Sequence, residues 1–352
     1  MNKLAPVRAA YVSPAAKRHP ADGSTLIVRD LSRATAVWLA KCLNQPGYSR
    51  LLLLGSGTLD RVGIKALESL RLPAAPPEMD GLSARLRDAL DEQALTSEGM
   101  HFVRAEANEF ACAGAAMSCS VRGGAFFARE AVNCESWLPT ATALRAEQNS
   151  LAEDLGWAAI AELASWDDRS RLTQAHDGAR VLRLRDVSED LFVAPGDDAG
   201  EAAIPSRALA KPLVPGEVLI STLGSSFRTA YVDDAVPRNT FPADAWVRAR
   251  FRETPAAWAL LLSTDALRSQ AARLAVGTVQ QFVPPEALRS LRVPVPPREV
   301  RDRWQRAVER HHAQRRTQDH KWDALMAEMN AVFEAAHRPF AERRPRAREA
   351  AQ

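Results

Sequence analysis

The run Leu51-Leu52-Leu53-Leu54-Gly55-Ser56-Gly57 has residue types and spacing that could open a cofactor site. An apolar strand ending in Gly-x-Gly is how nucleotide and S-adenosylmethionine sites often begin. A matching stretch, Arg273-Leu274-Ala275-Val276-Gly277, has one glycine and no strand-like run. The glycines are therefore read as a reversal that lets backbone approach another surface closely, and no cofactor is expected. Other chemistry is also missing. No Asn/Asp-Pro-Pro-Tyr/Phe tetrapeptide for amino methylation is present, nor the Gly-Lys-Ser/Thr of a nucleotide loop, and no metal-dependent nuclease pair is expected. The seven histidines form no nucleophile constellation. Cys42, Cys112, Cys119 and Cys134 lack Cys-x-x-Cys spacing, which argues against structural zinc and for buried free thiols. The chain is read as one that binds and does not catalyse.

The elements that must position any binding residues come in duplicate. Arg8-Ala9-Ala10-Tyr11-Val12 recurs as Arg228-Thr229-Ala230-Tyr231-Val232, Trp38 as Trp258, Gly57-Thr58 as Gly277-Thr278, and Pro76-Pro77 as Pro296-Pro297. The offset is 220 throughout, apart from Leu67, Leu70 and Pro73, which match Leu288, Leu291 and Pro294 one residue later. So long a repeat is a duplicated domain, since solenoid units recur every ~20 to 50 residues. Residues 1–7 leave no room for a front half of the first copy. The 352 residues suit two domains with connecting elements. No long apolar run or signal-peptide pattern appears, so the chain is read as soluble and cytoplasmic, with no membrane partner.

Charge follows the repeat. Residues 1–77 hold 11 Lys+Arg against 4 Asp+Glu, 78–204 hold 11 against 23, 205–297 hold 11 against 7, and 298–352 hold 13 against 9. Two basic copies around an acidic segment suit a protein that lays both on a polyanion, although charge runs also simply solvate surfaces. Arginine supplies all but 6 of the 46 cations. That favours bidentate contacts to phosphate or guanine, or reflects base composition.

The fold class is α+β, with duplicated domains of short strands and helices, each followed by a helix, the C-terminal one long. The expected divisions are a partial first domain (1–77), a first spacer helix (78–98), an insertion of unknown role (99–150), a complete second domain (151–297), a long helix (298–337) and a basic, disordered tail (338–352). In the second domain, Val181 to Arg185 alternates as a half-buried strand would, Pro215-Gly216-Glu217 marks a turn, and Val218 to Ser221 is a buried strand. Leu223 to Phe227 reverses into a strand at Thr229 to Val232. One helical stretch from Pro255 holds Trp258, Leu261, Leu262 and Leu267. Leu291 to Pro297 is a strand ended by prolines. In the insertion, Cys112 to Cys119 and Val121 to Phe127 read as strands, and Thr140 as a helix cap. The last helix has a polar waist, Glu309 to Lys321, suited to bridging two bodies. His311, His312 and His320 sit in it as solvated side chains.

Pro-Gly-Glu-Val-Leu-Ile-Ser (215–221), Gly224, the Arg-x-Ala-Tyr-Val strand, Leu267-Arg268-Ser269, Gly277-Thr278, Leu288 through Pro297 and the long polar helix together resemble the target-recognition domain of type I restriction-modification DNA specificity (S) subunits. The resemblance covers 155–337, and 8–97 as the back half of a first copy. It implies a non-catalytic subunit in which each domain reads half of a bipartite sequence in double-stranded DNA. Two antiparallel helices would set the gap and dock adenine methyltransferase subunits, which own the S-adenosylmethionine, and motor-nuclease subunits would join. The expected DNA-binding residues lie in two reversals: Thr222, Ser225, Ser226 and Arg228 in one, Gly277, Thr278, Gln280 and Gln281 in the other. Ser56, Thr58 and Arg61 are the first copy's analogues. Gln280 and Gln281 could pair with adenine. Arg228 could meet guanine or phosphate, or pair within the fold as its repeat partner Arg8 suggests. The truncated first copy, the shorter first helix and the insertion depart from the family pattern. They leave the first domain structural, completed by another chain, or vestigial. A protein-interaction scaffold of a defence complex that reads no DNA is the other reading.

Overall fold

Each long helix begins directly after a Pro-Pro pair. Proline has no N–H to lose in a first helical turn and its fixed φ suits the entry. Met79 and Asp80 donate to the carbonyls of Pro76 and Pro77 at 3.0 and 3.2 Å, and Val300 donates to that of Pro297 at 3.0 Å. The helices start at Glu78 and Arg298, so the 220-residue offset of the repeat holds at both starts (298−78).

The computed structural model describes residues 31–45, 48, 70, 72–115, 157–167, 180–193, 211–223, 227–277 and 281–342. In chain order the elements are α1 (Arg33–Leu43), α2 (Glu78–Ala115), β1 (Trp157–Ala159), α3 (Ile160–Leu163), β2 (Ala164–Trp166), β3 (Arg180–Leu182), a 3-10 turn (Leu184–Asp186), β4 (Val218–Ser221), β5 (Thr229–Tyr231), β6 (Thr240–Pro242), β7 (Trp246–Phe251), α4 (Pro255–Leu262), α5 (Asp265–Arg273), α6 (Pro285–Arg289), β8 (Arg292–Pro294) and α7 (Arg298–Glu342). The class is α+β. Two compact units divide the chain, Met1–Thr96 with Gln314–Gln352, and Ser97–Ala313.

In the first unit, α1 packs its buried Val37, Trp38 and Cys42 with Met79, Leu82 and Leu86 of α2 and Leu325 and Met329 of α7. Ser32 caps α1 through its side chain, which accepts from the Thr35 amide. The two long helices run antiparallel here: Arg85 pairs with Glu328 at 2.6 Å, Glu92 with Lys321 at 2.9 Å, and Thr96 with Gln318 at 2.6 Å.

The second unit is built on an antiparallel sheet in the order β2-β7-β4-β5. A parallel pair, β3-β6, and an antiparallel pair, β1-β8, complete its strands among the described residues. Strand β4 is buried at all four positions, and α4 is buried from Ala256 through Leu262. Such a helix belongs in the middle of a core. Its free N-terminal amides are satisfied by the Gln305 side chain of α7, which accepts from Ala256 and Ala257 at 2.8 and 3.3 Å. Within this unit too, α2 meets α7, through the Glu106–Arg303 ion pair and the edge-on Phe110–Trp304 pair at 5.8 Å.

Several expectations from the sequence are corrected. The first long helix does not stop at 98 but runs 38 residues to Ala115, against 45 for α7. Gly99 lies inside it, and the buried Met100, Ala107 and Ala111 continue a helical stripe beyond it. Residues 99–115 are therefore not an insertion, and Cys112 to Ala115 is helix, not strand. The remaining expectations for 116–150, Val121 to Phe127 and Thr140 among them, lie outside the described residues. The last helix extends to Glu342, past the expected end at 337, so 338–342 is not a disordered tail.

The strand expected over Val181 to Arg185 ends at Leu182, because Asp186 reaches back to accept from the Arg183 amide at 2.7 Å and closes a turn. The stretch from Pro255 is two helices. Between them, Ser263 and Thr264 donate their hydroxyls to the carbonyls of Leu260 and Leu261, each at 2.7 Å, a local bond that competes with helix continuation.

His311 and His312 are not solvated: they are 5% and 1% exposed. His311 Nε2 lies 2.5 Å from Asp190, and His312 Nδ1 lies 3.1 Å from Asp233. The His312 ring contacts Phe192 edge-on at 5.2 Å and Tyr231 at 5.8 Å.

Candidate nucleic-acid interface

The two reversals singled out in the sequence are joined by backbone pairing. Strand β4 ends at Ser221, and Thr222 follows as a fixed post: its amide and hydroxyl both donate to the Ala245 carbonyl, at 2.8 and 3.1 Å. Its own carbonyl accepts from Val283 at 2.7 Å. Leu223 then pairs with Phe282, and Phe282 pairs in turn with Val276 through reciprocal bonds of 2.7 and 2.8 Å. Val276 and Phe282 thus lie beside the segment leaving β4. Gly277, at φ +105°, takes a left-handed conformation directly after Val276, one that glycine adopts without steric cost.

The fates of the predicted contact residues differ. Gly277 and Gln281 are exposed, each next to a residue of the Val276–Phe282 bridge. Thr222 is 1% exposed with its hydroxyl bonded, so it braces the edge and offers no contact outward. Arg228 is half-buried, and its Nη1 donates to the carbonyls of Leu184 at 3.3 Å and Val187 at 2.7 Å. Of its alternatives, this geometry supports pairing within the fold. Ser225, Ser226, Thr278 and Gln280, and the first-copy residues Ser56, Thr58 and Arg61, lie outside the described residues.

The Pro215-Gly216-Glu217 turn has a structural task. Gly216 takes φ +86°, which places Glu217 to enter β4 with its carboxylate inside the unit, 1% exposed. Arg248, 2% exposed, donates to that carboxylate through Nε at 3.1 Å and Nη2 at 2.6 Å. Arg250 adds bonds of 2.8 and 2.6 Å. Asp167 lies 3.3 Å from Arg248 and 2.6 Å from Lys211. Neither buried charge is left without a counter-charge, since Glu217 meets both arginines and Arg248 also meets Asp167. The signal for it was in the sequence, in the alternation of Arg248 and Arg250 along one strand.

An Asp-x-Lys spacing does occur, at Asp319-His320-Lys321. It lies on α7, where Asp319 pairs with Arg315 at 3.2 Å and Lys321 with Glu92. Among the described residues no group of three or more His, Cys, Asp or Glu could hold a metal ion, and no helix is long and apolar enough to cross a membrane.

No family model matches this chain, and no curated protein matches it. Solved structures do. The chain is similar to the type I restriction-modification S subunit from M. genitalium, at 9% identity and TM-score 0.40, over 78% of this chain and 65% of that one. It thus spans under two thirds of that subunit's length. A chain from a structure of type I R-M complex assembly and conformational transition gives 17% identity and TM-score 0.33, over 87% and 72% of the two chains. The HsdS subunit from Thermoanaerobacter tengcongensis gives 14% and 0.30, over 85% and 69%. Likeness this loose transfers no residue role to the present chain.

Proposed function

We propose that this chain is a sequence-specific DNA-binding specificity subunit of a type I restriction-modification or related phage-defence complex. It would direct a partner adenine methyltransferase and a nuclease to a target sequence in double-stranded DNA, without catalysing either reaction itself. The observation that carries this reading is the pairing of Leu223 with Phe282 and of Phe282 with Val276. It brings Leu223, just past the end of the internal strand β4, to Phe282 and Val276, more than fifty residues away in sequence. A rigid scaffold presenting adjoining loops is what base readout in a major groove requires.

Arginine on and around this site would supply affinity and register through phosphate, and side chains of the loops would supply sequence. Gln281, exposed beside Phe282, has the amide geometry that pairs with adenine N6 and N7. The resemblance adds the partners: the long helices would dock the methyltransferase, which brings its own S-adenosylmethionine. Selection from a randomised duplex library, with the methyltransferase subunit present, should enrich one motif, with binding that falls steeply as salt rises. A library that returns no motif would overturn the reading in favour of a scaffold that reads no DNA.

A further inference from the structure

The turn Leu184–Asp186 is fastened to the same site, although the sequence gives it to a strand. Arg228, which ends the first reversal, spends Nη1 on the carbonyls of Leu184 and Val187. These two carbonyls bracket the turn. The turn is also closed on itself: Asp186 accepts from the Arg183 amide at 2.7 Å and donates its own amide to the Arg183 carbonyl at 3.1 Å. Val187 then pairs with Val193, which fixes the exit. Behind the turn, Leu182 is fully buried and its carbonyl accepts from Trp246 Nε1 at 3.2 Å and from the Ala243 amide at 3.0 Å. The backbone of 182–187 is therefore anchored from four directions.

What this anchoring presents outward is Arg185. Its side chain is 63% exposed, with Nε 3.7 Å from Asp186, whose side chain is 11% exposed and already serves the turn. An exposed arginine on an immobilised turn differs from an ordinary surface cation, because the backbone that carries it has already lost its freedom. Along the described parts of this site (183–187, 221–223, 227–228, 243–246, 276–277 and 281–282) the charged residues are Arg183, Arg185 and Arg228 against Asp186 and Asp244. Nη1 of Arg228 is turned inward, and among the described cations there Arg185 is the most exposed.

We infer that the turn Leu184–Asp186 is a third DNA-contacting element beside the two loops, and that Arg185 engages a backbone phosphate and not a base. This rests on the DNA-reading function proposed above. Arg228 is then a positioning residue, coupling the first loop to the phosphate-binding turn. The chemistry follows from the geometry: a single cation at a fixed place sets register on the duplex and carries no sequence information.

The test uses the full chain, the duplex it selects and a scrambled duplex, with affinity measured across a salt series. Arg185→Ala should weaken binding to both duplexes by the same factor and make the log–log salt slope shallower by about 0.9, the loss of one phosphate contact. Arg185→Lys should restore the slope, since phosphate accepts a point charge. An unchanged slope in Arg185→Ala overturns the inference and leaves the DNA-reading function standing. A changed base preference, unrescued by lysine, also overturns it and makes Arg185 a base reader. If the wild-type chain selects no duplex at all, both fall.

Discussion

Trp38 and Trp258 hold corresponding places in the two copies, 220 residues apart, and each sits 3% exposed on a helix that precedes a Pro-Pro pair. Their surroundings differ. Trp258 stacks on Phe251 of the sheet at 5.3 Å with 13° between the rings, and the Arg301 guanidinium lies 5.6 Å from its ring. Trp38 donates through Nε1 to the Pro73 carbonyl at 2.9 Å and meets Phe333 and His337 of α7 at 5.5 and 5.8 Å. One helix has a sheet on one side and α7 on another and is buried from Ala256 to Leu262, whereas the other buries five of its eleven residues against helices. A helix at the same place in the repeat serves as a central layer where the sheet reaches it, and as one stripe-packed helix in a bundle in the other unit.

The sharpest way to break that comparison is a matched pair of truncations. Trp258→Ala should cost near the top of the range of about 3–5 kcal/mol for a core tryptophan, and Trp38→Ala near the bottom. Hydrogen exchange resolved to peptides from each unit would show the loss confined to the unit that carries the change. Equal losses in both would erase the distinction. Next in size is Glu217→Ala. It leaves the buried Arg248 with Asp167, 3.3 Å away, in place of its bidentate partner, and should destabilise the second unit by about 3 kcal/mol, read as a lowered melting temperature with α1 protection intact.

The third prediction concerns pH and the first unit. Burial pushes the Cys42 thiol from 9.0 up to about 11. Between those values the folded chain keeps a proton that the unfolded chain releases, so stability is complete below pH 9 and falls as pH rises toward 11. At about 1.4 kcal/mol per pH unit, roughly 2–3 kcal/mol is lost by pH 11. Cys42→Ala should flatten this part of the curve for the first unit and leave the second unit's profile alone, and a profile identical to wild type would refute it.

Arg228→Ala should cost less, about 1–2 kcal/mol for two carbonyl bonds to a half-buried cation, with local loss of protection over 184–187. Smallest in stability is Gln281→Ala, expected within about 0.5 kcal/mol for an exposed site. Its effect should instead appear as relaxed base preference at one position of the selected duplex, and an unchanged preference would remove Gln281 from the interface.

What the sequence disclosed and what it hid divide along physical lines. The starts of both long helices were legible because Pro-Pro is a local signal. The continuation of α2 through Gly99 was not, since a glycine's cost of about 1 kcal/mol in a helix is offset by packing of Met100, Ala107 and Ala111 that only the folded chain makes. His311 and His312 look solvated among polar neighbours because their partners, Asp190 and Asp233, lie 121 and 79 residues away. The positions of the two reversals could be read from Gly and Ser, but their adjacency rests on the long-range pairing at Phe282. The burial of Thr222 and the inward turn of Arg228 depend on the same kind of distant contact.

The clasp at Phe282 has a further meaning for how such a protein changes over generations. Every bond in it, from Val276 and Phe282 to Thr222 and Val283, runs between main-chain atoms. Main-chain bonds do not ask which side chains the enclosed residues bear, provided Gly277 keeps its turn. Substitution of the exposed Gln281 can therefore leave the clasp beside it intact, at little cost in foldability.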